Sequence, residues 1–405
     1  MTRNGRGVLV TGLGAMTPLG ADAPSSWSGL LDGKSGVRSL EEEWAADLPV
    51  HVAAGLTVDP ASLLPRPEAR KLDRGEQIAL LSAREAWQDA GAPQAEPERI
   101  AVVIGTGTGG VLTTLGQDDL FERAGIRRLS PFAVPMLMPN GPAAWVSMDL
   151  GAKGGARTPV SACASGAEAL ALAQDLIRAG RADVVVAGGV EACLHPFTLA
   201  AFAQMKALST QSTDPEAVSR PFDVKRSGFV MGEGAGMMVL ERAEFARARG
   251  ARTHGALAGS AVSSSADHIT ASDADGQTYA MRLALRDAAL DPSDIGVVHA
   301  HATSTESGDL AEAEAIGRAV GSHAAVTATK SMTGHMIGAS GTIGAMAALL
   351  ALRDGAVPVT RNLDELDPRV EVDVVRGERR TGRWSAALAN SFGFGGHNVS
   401  LVFTT

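Results

Sequence analysis

The chain has 405 residues, 45% hydrophobic and 20% charged, which is enough for one large core or two fused domains. A net charge of −9 excludes a globally basic surface for nucleic acid or anionic lipid. Aromatic residues make up only 4% of the chain, which argues against a protein that binds nucleic acid by stacking on its bases. Two cysteines exclude a disulfide framework, and no apolar run approaches the ~20 residues of a membrane helix. The start lacks a signal-peptide pattern, so the sequence predicts a cytoplasmic protein without nucleic-acid or membrane partners.

Short valine-rich runs that close on glycine or small polar residues recur along the chain. Such runs are typical of strands that are buried on both faces. They lie at residues 7–14, 99–110, 182–190, 235–241, 295–305, 384–396 and 399–403. Segments with helical periodicity lie between them, at residues 76–91, 167–180 and 278–291. The alternation predicts an α/β fold with mixed or parallel sheets covered by helices.

Two stretches share one pattern, a turn of small residues that leads into an alanine-rich helix ending in arginine and glycine. They are residues 163–180 and 338–355. The similarity is weak evidence of a duplication, because alanine-rich helices resemble one another in composition. We place a boundary after the charged segment 241–250, which gives an N-terminal half, 1–250, and a C-terminal half, 251–405.

Cys163 lies between small residues, at the point where a helix is predicted to begin. The free N–H groups and positive dipole end of that helix would point at the sulfur, which favours the nucleophilic thiolate. Small neighbours would also let an acyl group approach. The alternative is a buried structural thiol, the ordinary role of a cysteine and our interpretation of Cys193.

Two of the nine histidines stand out by their position. His301 follows a predicted buried strand, where the functional loops of α/β proteins gather. His335 follows Lys330 and precedes an alanine-rich helix. Cysteine with histidine would also fit a protease or a metal site. No histidine–cysteine spacing resembles a zinc pattern, however, so we expect no metal.

Two glycine-rich segments differ in what they indicate. The string "NSFGFGGHN" at 390–398 would let backbone N–H groups approach a ligand closely, although many such loops are only tight turns. The string "GTGTGG" at 105–110 lacks the G-x-G-x-x-G spacing of a dinucleotide site, and no acidic residue ends a second strand about 20 residues later.

Taken together, these segments resemble the β-ketoacyl-acyl carrier protein synthases, and most closely their elongating type II class. The resemblance covers essentially the whole chain and rests on five motifs in the family's order: "SACASG", "GFVMGEGAG", "HATST", "TKSMTGH" and "NSFGFGGHN". It implies a five-layered αβαβα thiolase-like fold with duplicated halves, usually as a homodimer. It also implies substrates carried on the phosphopantetheine of an acyl carrier protein, with no other cofactor.

The resemblance assigns a role to each motif residue. Cys163 would accept the acyl chain, and His301 and His335 would hold the malonyl thioester carbonyl. Lys330 would organise this cluster electrostatically. Backbone N–H groups of Cys163 and Phe394 would form the oxyanion hole for acyl transfer.

Three further groups of residues are matched to the family by their position along the chain. The gate between acyl pocket and nucleophile would consist of Phe394, Phe392 and Gly395. The acyl pocket would include Thr108, Ala133 and Phe132. A local basic patch for the acidic carrier protein would consist of Arg66, Arg70, Lys71 and Lys206.

The sequence departs from the family's usual pattern at several positions. His299 and Ala302 are substitutions within "HAHATST", and Gly344 stands where a glutamate usually orders the active-site network. Thr108 replaces a bulky apolar residue, and Ala133 is small where an aromatic is common. The pocket substitutions predict an altered pocket and a specialised substrate.

The predicted function is decarboxylative Claisen condensation of a cysteine-bound acyl chain with malonyl-carrier protein in fatty acid elongation. The alternative is the ketosynthase subunit of a type II polyketide system, paired with a chain-length factor. A non-catalytic partner subunit would usually lack the nucleophile. A thiolase would normally carry a second cysteine near the C-terminus, and a starter-type synthase would show a Cys-His-Asn set.

Overall fold

The computed structural model describes residues 7–405. Its strands are β1 (Val8–Met16), β2 (Arg38–Ser39), β3 (Val52–Ala53), β4 (Ile100–Gly105), β5 (Ala156–Arg157), β6 (Val184–Glu191), β7 (Gly234–Arg242), β8 (Gly255–Ser264), β9 (Ile295–His299), β10 (Ala325–Thr327), β11 (Ala356–Val357), β12 (Arg380–Thr381), β13 (Ala386–Gly393) and β14 (His397–Thr404). Its α-helices are α1 (Ala23–Leu31), α2 (Arg66–Ala69), α3 (Arg74–Asp89), α4 (Val111–Ala124), α5 (Ala133–Leu137), α6 (Gly141–Leu150), α7 (Ser165–Arg178), α8 (Pro196–Gln204), α9 (Ala243–Ala248), α10 (Ala274–Ala288), α11 (Glu306–Ala319), α12 (Lys330–Thr333) and α13 (Ile337–Asp354).

Ten of the strands follow one continuous order, β10-β9-β13-β14-β8-β1-β7-β6-β4-β5. From the centre outward in the first half, β1–β7 and β7–β6 are antiparallel, whereas β6–β4 and β4–β5 are parallel. In the second half, β8–β14 and β14–β13 are antiparallel, whereas β13–β9 and β9–β10 are parallel. The same topology therefore occurs twice, which confirms the predicted duplication.

Helices lie between and outside the two half-sheets. Helices α7 and α13 contact strands of both half-sheets, whereas α3 contacts β1, β7 and β6, and α10 contacts β8 and β14. The half-sheets are joined where β1 pairs with β8 over only three residue pairs. The result is the five-layered αβαβα arrangement predicted from the sequence. The boundary predicted after residue 250 falls between α9 and β8 and stays a prediction.

The two central helices pack without bulky side chains at their N-terminal ends. A Cβ atom at Gly166 would lie 2.6 Å from the Gly338 carbonyl oxygen, and one at Gly341 would lie 2.7 Å from the Ala167 nitrogen. A Cβ atom at Gly189 of β6 would lie 2.2 Å from the same Gly338 oxygen. Real Cβ contacts are wider, so glycine is required for this close approach. The packing brings the start of α7, with Cys163, beside the start of α13, with His335.

The remaining interior is apolar. The core between the half-sheets is rich in alanine and leucine, and separate apolar clusters lie beneath the outer helices of each half. Each fully buried leucine, valine or isoleucine stabilises the fold by about 1.5–3 kcal/mol relative to exposure. Within residues 7–405, no helix combines the length and apolarity that crossing a membrane requires.

Candidate active site

Cys163 lies in a tight turn that precedes α7. Residues Ala162–Ala164 form a 3₁₀ turn, and Ala162 has a positive φ of 51°, which costs energy for any residue with a Cβ atom. The Ser165 hydroxyl accepts a hydrogen bond from the Ser161 N–H at 3.0 Å and donates one to the Ala162 carbonyl at 2.7 Å. From β13, the Ser391 hydroxyl donates to the Cys163 carbonyl at 3.0 Å. These bonds offset the strain and fix the nucleophile's backbone.

One cavity brings the three predicted catalytic motifs together. Its wall includes Cys163, His301 and His335. Aromatic side chains and residues of the glycine-rich loop share this wall: Phe202, Phe229, Phe392, Gly393, Phe394 and Gly396. Hydroxyl, amide and carboxyl side chains also line it: Ser265, Thr270, Ser272, Asp273, Gln277, Thr303, Thr305 and Asn398. The cavity therefore combines a thiol, two imidazoles and a polar lining.

The two histidine rings face each other within this cavity. Their centroids are 5.5 Å apart and their planes meet at 86°. Phe229 packs edge-on against His335 at 5.1 Å, and Phe392 lies 5.9 Å from the His301 ring. Aromatic contacts on both rings restrict their rotation and keep one edge of each ring available.

Hydrogen bonds from outside the cavity fix the tautomer of His335. Its Nδ1 lies 3.0 Å from the Ser340 hydroxyl oxygen, and that oxygen accepts the Met336 N–H at 2.9 Å. The hydroxyl hydrogen is then available for Nδ1, and on this pattern we assign the proton of the neutral ring to Nε2. Burial, with the Lys330 charge as a second cause, holds the pKa of His335 well below its ordinary value. His335 is therefore a neutral Nε2–H donor.

Lys330 imposes the same state on His301. The Lys330 ammonium donates to the His301 carbonyl and lies 3.3 Å from His301 Nδ1. Because an ammonium group has no acceptor, Nδ1 must be unprotonated and the ring proton must be on Nε2. Burial, and then the charge of Lys330, holds the pKa of His301 well below its ordinary value. Two neutral Nε2–H donors therefore share one cavity.

A buried carboxylate supports the backbone at His301. Glu312 of α11 accepts the N–H groups of His301 and Ala302 at 2.7 and 2.6 Å. The Asn390 amide donates to the same carboxylate at 3.2 Å. Burial raises the pKa of Glu312, whereas these hydrogen bonds lower it. Burial also lowers the pKa of Lys330 to about 8, and the charge of Glu312 opposes that shift.

The groups at the start of α7 do not lower the pKa of Cys163 overall. Burial raises the pKa of its thiol to about 11, while the positive charge of Lys330 lowers it and the negative charge of Glu191 raises it. The N–H groups of Phe394 and Cys163 itself also lower this pKa. Loss of water around the sulfur therefore outweighs the favourable groups at the helix start. Cys163 and Cys193 are both free, buried thiols.

The glycine-rich loop is anchored at its end and close to the nucleophile at its start. A Cβ atom at Gly393 would lie 2.3 Å from the Ser161 carbonyl oxygen. Gly395 has a φ of +94°, and its N–H donates to the Ile269 carbonyl at 2.7 Å. The predicted gate residues Phe392 and Phe394 lie in this loop and line the cavity. Their gating role stays a prediction.

The three residues assigned to the acyl pocket are not part of the cavity wall around Cys163. The Thr108 hydroxyl donates to the buried Glu191 carboxylate at 2.6 Å. Phe132 is 37% exposed and precedes Ala133 at the start of α5. These residues lie at the surface or behind the nucleophile turn, so their assignment to the pocket stays a prediction.

The predicted docking patch is exposed. Arg66, Arg70 and Lys71 lie in or directly after α2, and Lys206 follows α8. The Lys71 ammonium lies 5.8 Å from the centroid of the Phe132 ring. The three residues of 66–71 form a local basic cluster in an acidic chain, and their docking role stays a prediction.

Several supporting residues were not found from the sequence. Glu191 accepts hydrogen bonds from Thr108 and from the N–H groups of Gly107 and Gly338, at 2.6, 2.8 and 3.1 Å. Glu312 bonds the N–H groups of His301 and Ala302, and Ser340 bonds His335 and Met336, within a few turns of the chain. A buried glutamate at the end of a valine-rich run was the single hint of Glu191, because an unpaired carboxylate is costly there.

Two family profiles match the chain in order. Residues 5–246 match the Beta-ketoacyl synthase N-terminal domain, and residues 254–364 match the Beta-ketoacyl synthase C-terminal domain. The chain belongs to the β-ketoacyl synthase family. A curated relative, the 3-oxoacyl-acyl-carrier-protein synthase 2 of Mycobacterium tuberculosis, is 42% identical over 402 residues, covering 98% of this chain and 96% of the relative.

Solved structures of β-ketoacyl synthases share the fold. One, from Burkholderia phymatum, has a TM-score of 0.92 and 34% identity, and the match covers 99% of both chains. Another is a type II polyketide ketosynthase, solved with its acyl-carrier protein and bound to the hexaketide, with a TM-score of 0.90 and 29% identity over 99% of both chains. Residues 7–405 contain no group of three or more histidine, cysteine, aspartate or glutamate residues placed to hold a metal ion.

Proposed function

We propose that this β-ketoacyl synthase elongates acyl chains in fatty acid synthesis by decarboxylative Claisen condensation with malonyl-acyl carrier protein. One observation carries the proposal: a single cavity holds the Cys163 thiol beside two neutral imidazoles whose Nε2–H groups are free to donate. The curated relative at 42% identity over nearly the whole chain supports elongation more strongly than the polyketide ketosynthase at 29%.

The first half-reaction transfers the acyl group to Cys163. The sulfur attacks the carrier thioester, the bond between the acyl carbon and the carrier's sulfur breaks, and the thiol proton passes to the departing carrier thiol. Because the pKa of Cys163 is about 11, the proton leaves during attack rather than beforehand. The N–H groups of Cys163 and Phe394 would stabilise the oxyanion that forms on the acyl carbonyl.

The second half-reaction forms the carbon–carbon bond. Malonyl-carrier loses CO₂, and the Nε2–H groups of His301 and His335 hydrogen-bond the thioester oxygen on which negative charge develops. Neutral imidazoles stabilise that charge without protonating the carbanion. The carbanion attacks the acyl carbon, the bond to Cys163 breaks, and the thiolate takes up one proton from water. Burial, and then the charge of Lys330 beside it, lowers the pKa of His301 and keeps that imidazole from being protonated.

Intact-protein mass spectrometry with a panel of acyl-carrier proteins, followed by malonyl-carrier, tests this proposal. Acylation at Cys163 followed by a β-ketoacyl product would support a self-sufficient elongating synthase and reveal its chain preference. Acylation without condensation would favour the alternative, a type II polyketide ketosynthase that needs a chain-length factor. Copurification of a similar chain that lacks the cysteine would decide for that alternative.

We propose that the protein is a homodimer. Large apolar side chains of segment 111–148 are exposed on the single chain: Phe121, Ile126, Phe132, Val134, Leu137 and Met148. Exposed large apolar side chains that gather on one face are typical of a protein–protein interface. A second copy placed here would cover Phe132 and Ala133, two of the residues that the resemblance assigns to the acyl pocket. Light scattering of wild type and Ile126→Asp tests this: a wild-type monomer would contradict it.

The carrier protein and the location belong to the same proposal. We infer that an acyl carrier protein docks at Arg66, Arg70, Lys71 and Lys206, and that its phosphopantetheine is the only prosthetic group the reaction requires. Charge reversal of Arg70 should raise the KM for acyl-carrier and leave kcat almost unchanged. Unchanged turnover after treatment with a chelator would support a reaction without metal. The cytoplasmic location stays a prediction.

A further inference from the structure

His299 occupies space that a side chain at residue 344 would need. His299 ends β9 and is 2% exposed. A Cβ atom at Gly344 of α13 would lie 2.6 Å from His299 Nδ1 and 2.7 Å from Cε1. These distances are far inside van der Waals contact, so the imidazole and any side chain at 344 exclude each other.

The other edge of the same ring reaches the residue before Lys330. His299 Nε2 lies 2.8 Å from the Thr329 hydroxyl oxygen. His299 also lies two residues before His301, whose carbonyl and Nδ1 contact the Lys330 ammonium. This hydrogen bond therefore connects the segment that carries Lys330 to the segment that carries His301, outside the cavity wall.

The His299 ring contributes shape and one hydrogen bond but no charge. Burial, and then the charge of Lys330, lowers the pKa of His299 to about 3, so the ring is neutral at physiological pH. Its Nδ1 has no hydrogen-bond partner among residues 7–405. A buried unpaired nitrogen costs about 1–3 kcal/mol. A ring kept for packing alone would be better replaced by an apolar residue, so its value lies in the bond to Thr329.

We propose that His299 is a positioning residue for Lys330, acting through Thr329, and that glycine at 344 is what makes room for it. The consequence for condensation rests on the proposed function, whereas the effect on Lys330 does not. Lys330 lowers the pKa of Cys163, so displacement of the ammonium makes the thiol less reactive. Because the His299 ring is neutral, removing it changes no charge itself.

Alkylation of Cys163 by iodoacetamide tests the proposal without carrier protein or acyl substrate. The rate is followed by peptide mass spectrometry below about pH 8, where Lys330 remains protonated. We expect His299→Leu and Gly344→Ala each to slow alkylation severalfold, up to about tenfold for one unit in the thiol pKa. His299→Gln, whose amide reaches the Nε2 position, should restore most of the rate.

Two matched controls separate this role from simple packing. Gly317→Ala lies on α11, where a Cβ atom would meet nothing within 4 Å, and His323→Leu removes an exposed histidine. Both should alkylate like wild type. The decisive comparison is a double-mutant cycle: in a Lys330→Met background, His299→Leu should change the rate no further.

Two results would overturn the proposal. One is that His299→Leu is alkylated at the wild-type rate although its melting temperature falls. That result would mean that His299 serves only in packing. The other is an equal effect of His299→Leu with and without Lys330. If alkylation behaves as expected but no carrier-bound substrate is condensed, the positioning role stands and the proposed function fails.

Discussion

The turns at the start of α7 and at the start of α13 share a sequence pattern and a backbone conformation. In the first, "ACASG" at 162–166, Ala162 has a φ of 51°, and in the second, "IGASG" at 337–341, Ile337 has a φ of 39°. Each turn places a left-handed, non-glycine residue directly before the position of Cys163 or its counterpart, Gly338. The duplication therefore preserved a strained backbone, and only one copy uses it to present a nucleophile.

The serine of each turn shows how the copies diverged. The Ser165 hydroxyl accepts the Ser161 N–H, donates to the Ala162 carbonyl and also lies 3.2 Å from the Thr106 carbonyl oxygen, so its hydrogen bonds hold only backbone groups. The Ser340 hydroxyl accepts the Met336 N–H in the same way, but its hydrogen serves His335 Nδ1. The turn before α7 therefore holds the backbone of Cys163, whereas the turn at the start of α13 sets the tautomer of His335.

The nucleophile itself is the largest difference between the two turns. Cys163→Ala should reduce condensation by at least about 10⁴-fold, because no other residue can carry the acyl group. Product formation from acyl- and malonyl-carrier measures it. Cys193→Ala, at the second buried thiol, is the control and should retain activity with a stability loss of about 1 kcal/mol. Acylation that persisted in Cys163→Ala would contradict the assignment.

The two serines should separate the two half-reactions. Ser340→Ala frees His335 to protonate Nδ1, so condensation should fall about tenfold, less than the roughly 10²–10³ lost with an oxyanion donor. Acylation of Cys163 should be nearly unchanged. Ser165→Ala should have the opposite pattern and slow acylation. Single-turnover rates of each half-reaction measure both variants, and equal effects on both steps would contradict the division of roles.

The rate of condensation and the rate of Cys163 alkylation should change in opposite directions as the pH rises. The Lys330 pKa of about 8 means that its ammonium is lost as pH rises through that value, so condensation by pre-acylated enzyme should fall there. The Cys163 pKa of about 11 means that alkylation should keep rising. Both rates are to be measured between about pH 6 and pH 10. A condensation rate that stays flat above pH 8, or an alkaline fall that survives in Lys330→Met, would contradict this.

The sequence predicted the repeated fold and the residues that meet in the cavity, but not what holds them. All seven valine-rich runs contain strands, because their burial on both faces leaves a continuous apolar signal. Strands β5, β8 and β10 of the ten-stranded sheet were missed. Strands β5 and β10 have only two and three residues, and β8 is built largely of small residues and is buried only at alternate positions. Glu191 acts through contacts between distant segments, which no local pattern encodes. Ser340 acts on residues four and five positions before it, but a serine among small residues has no pattern that distinguishes this role.

The strain in the first turn can be measured directly. Replacing Ala162 with glycine relieves a left-handed alanine, which offsets the entropy that glycine loses on folding. The same change at Ala173, in the middle of α7, has no such relief and loses helix propensity and packing. We expect Ala162→Gly to cost at least about 1 kcal/mol less than Ala173→Gly in free energy of unfolding. Chemical denaturation of both variants measures the difference. Equal costs would mean that the positive φ before Cys163 carries no strain, and the comparison between the two turns would then rest on their side chains alone.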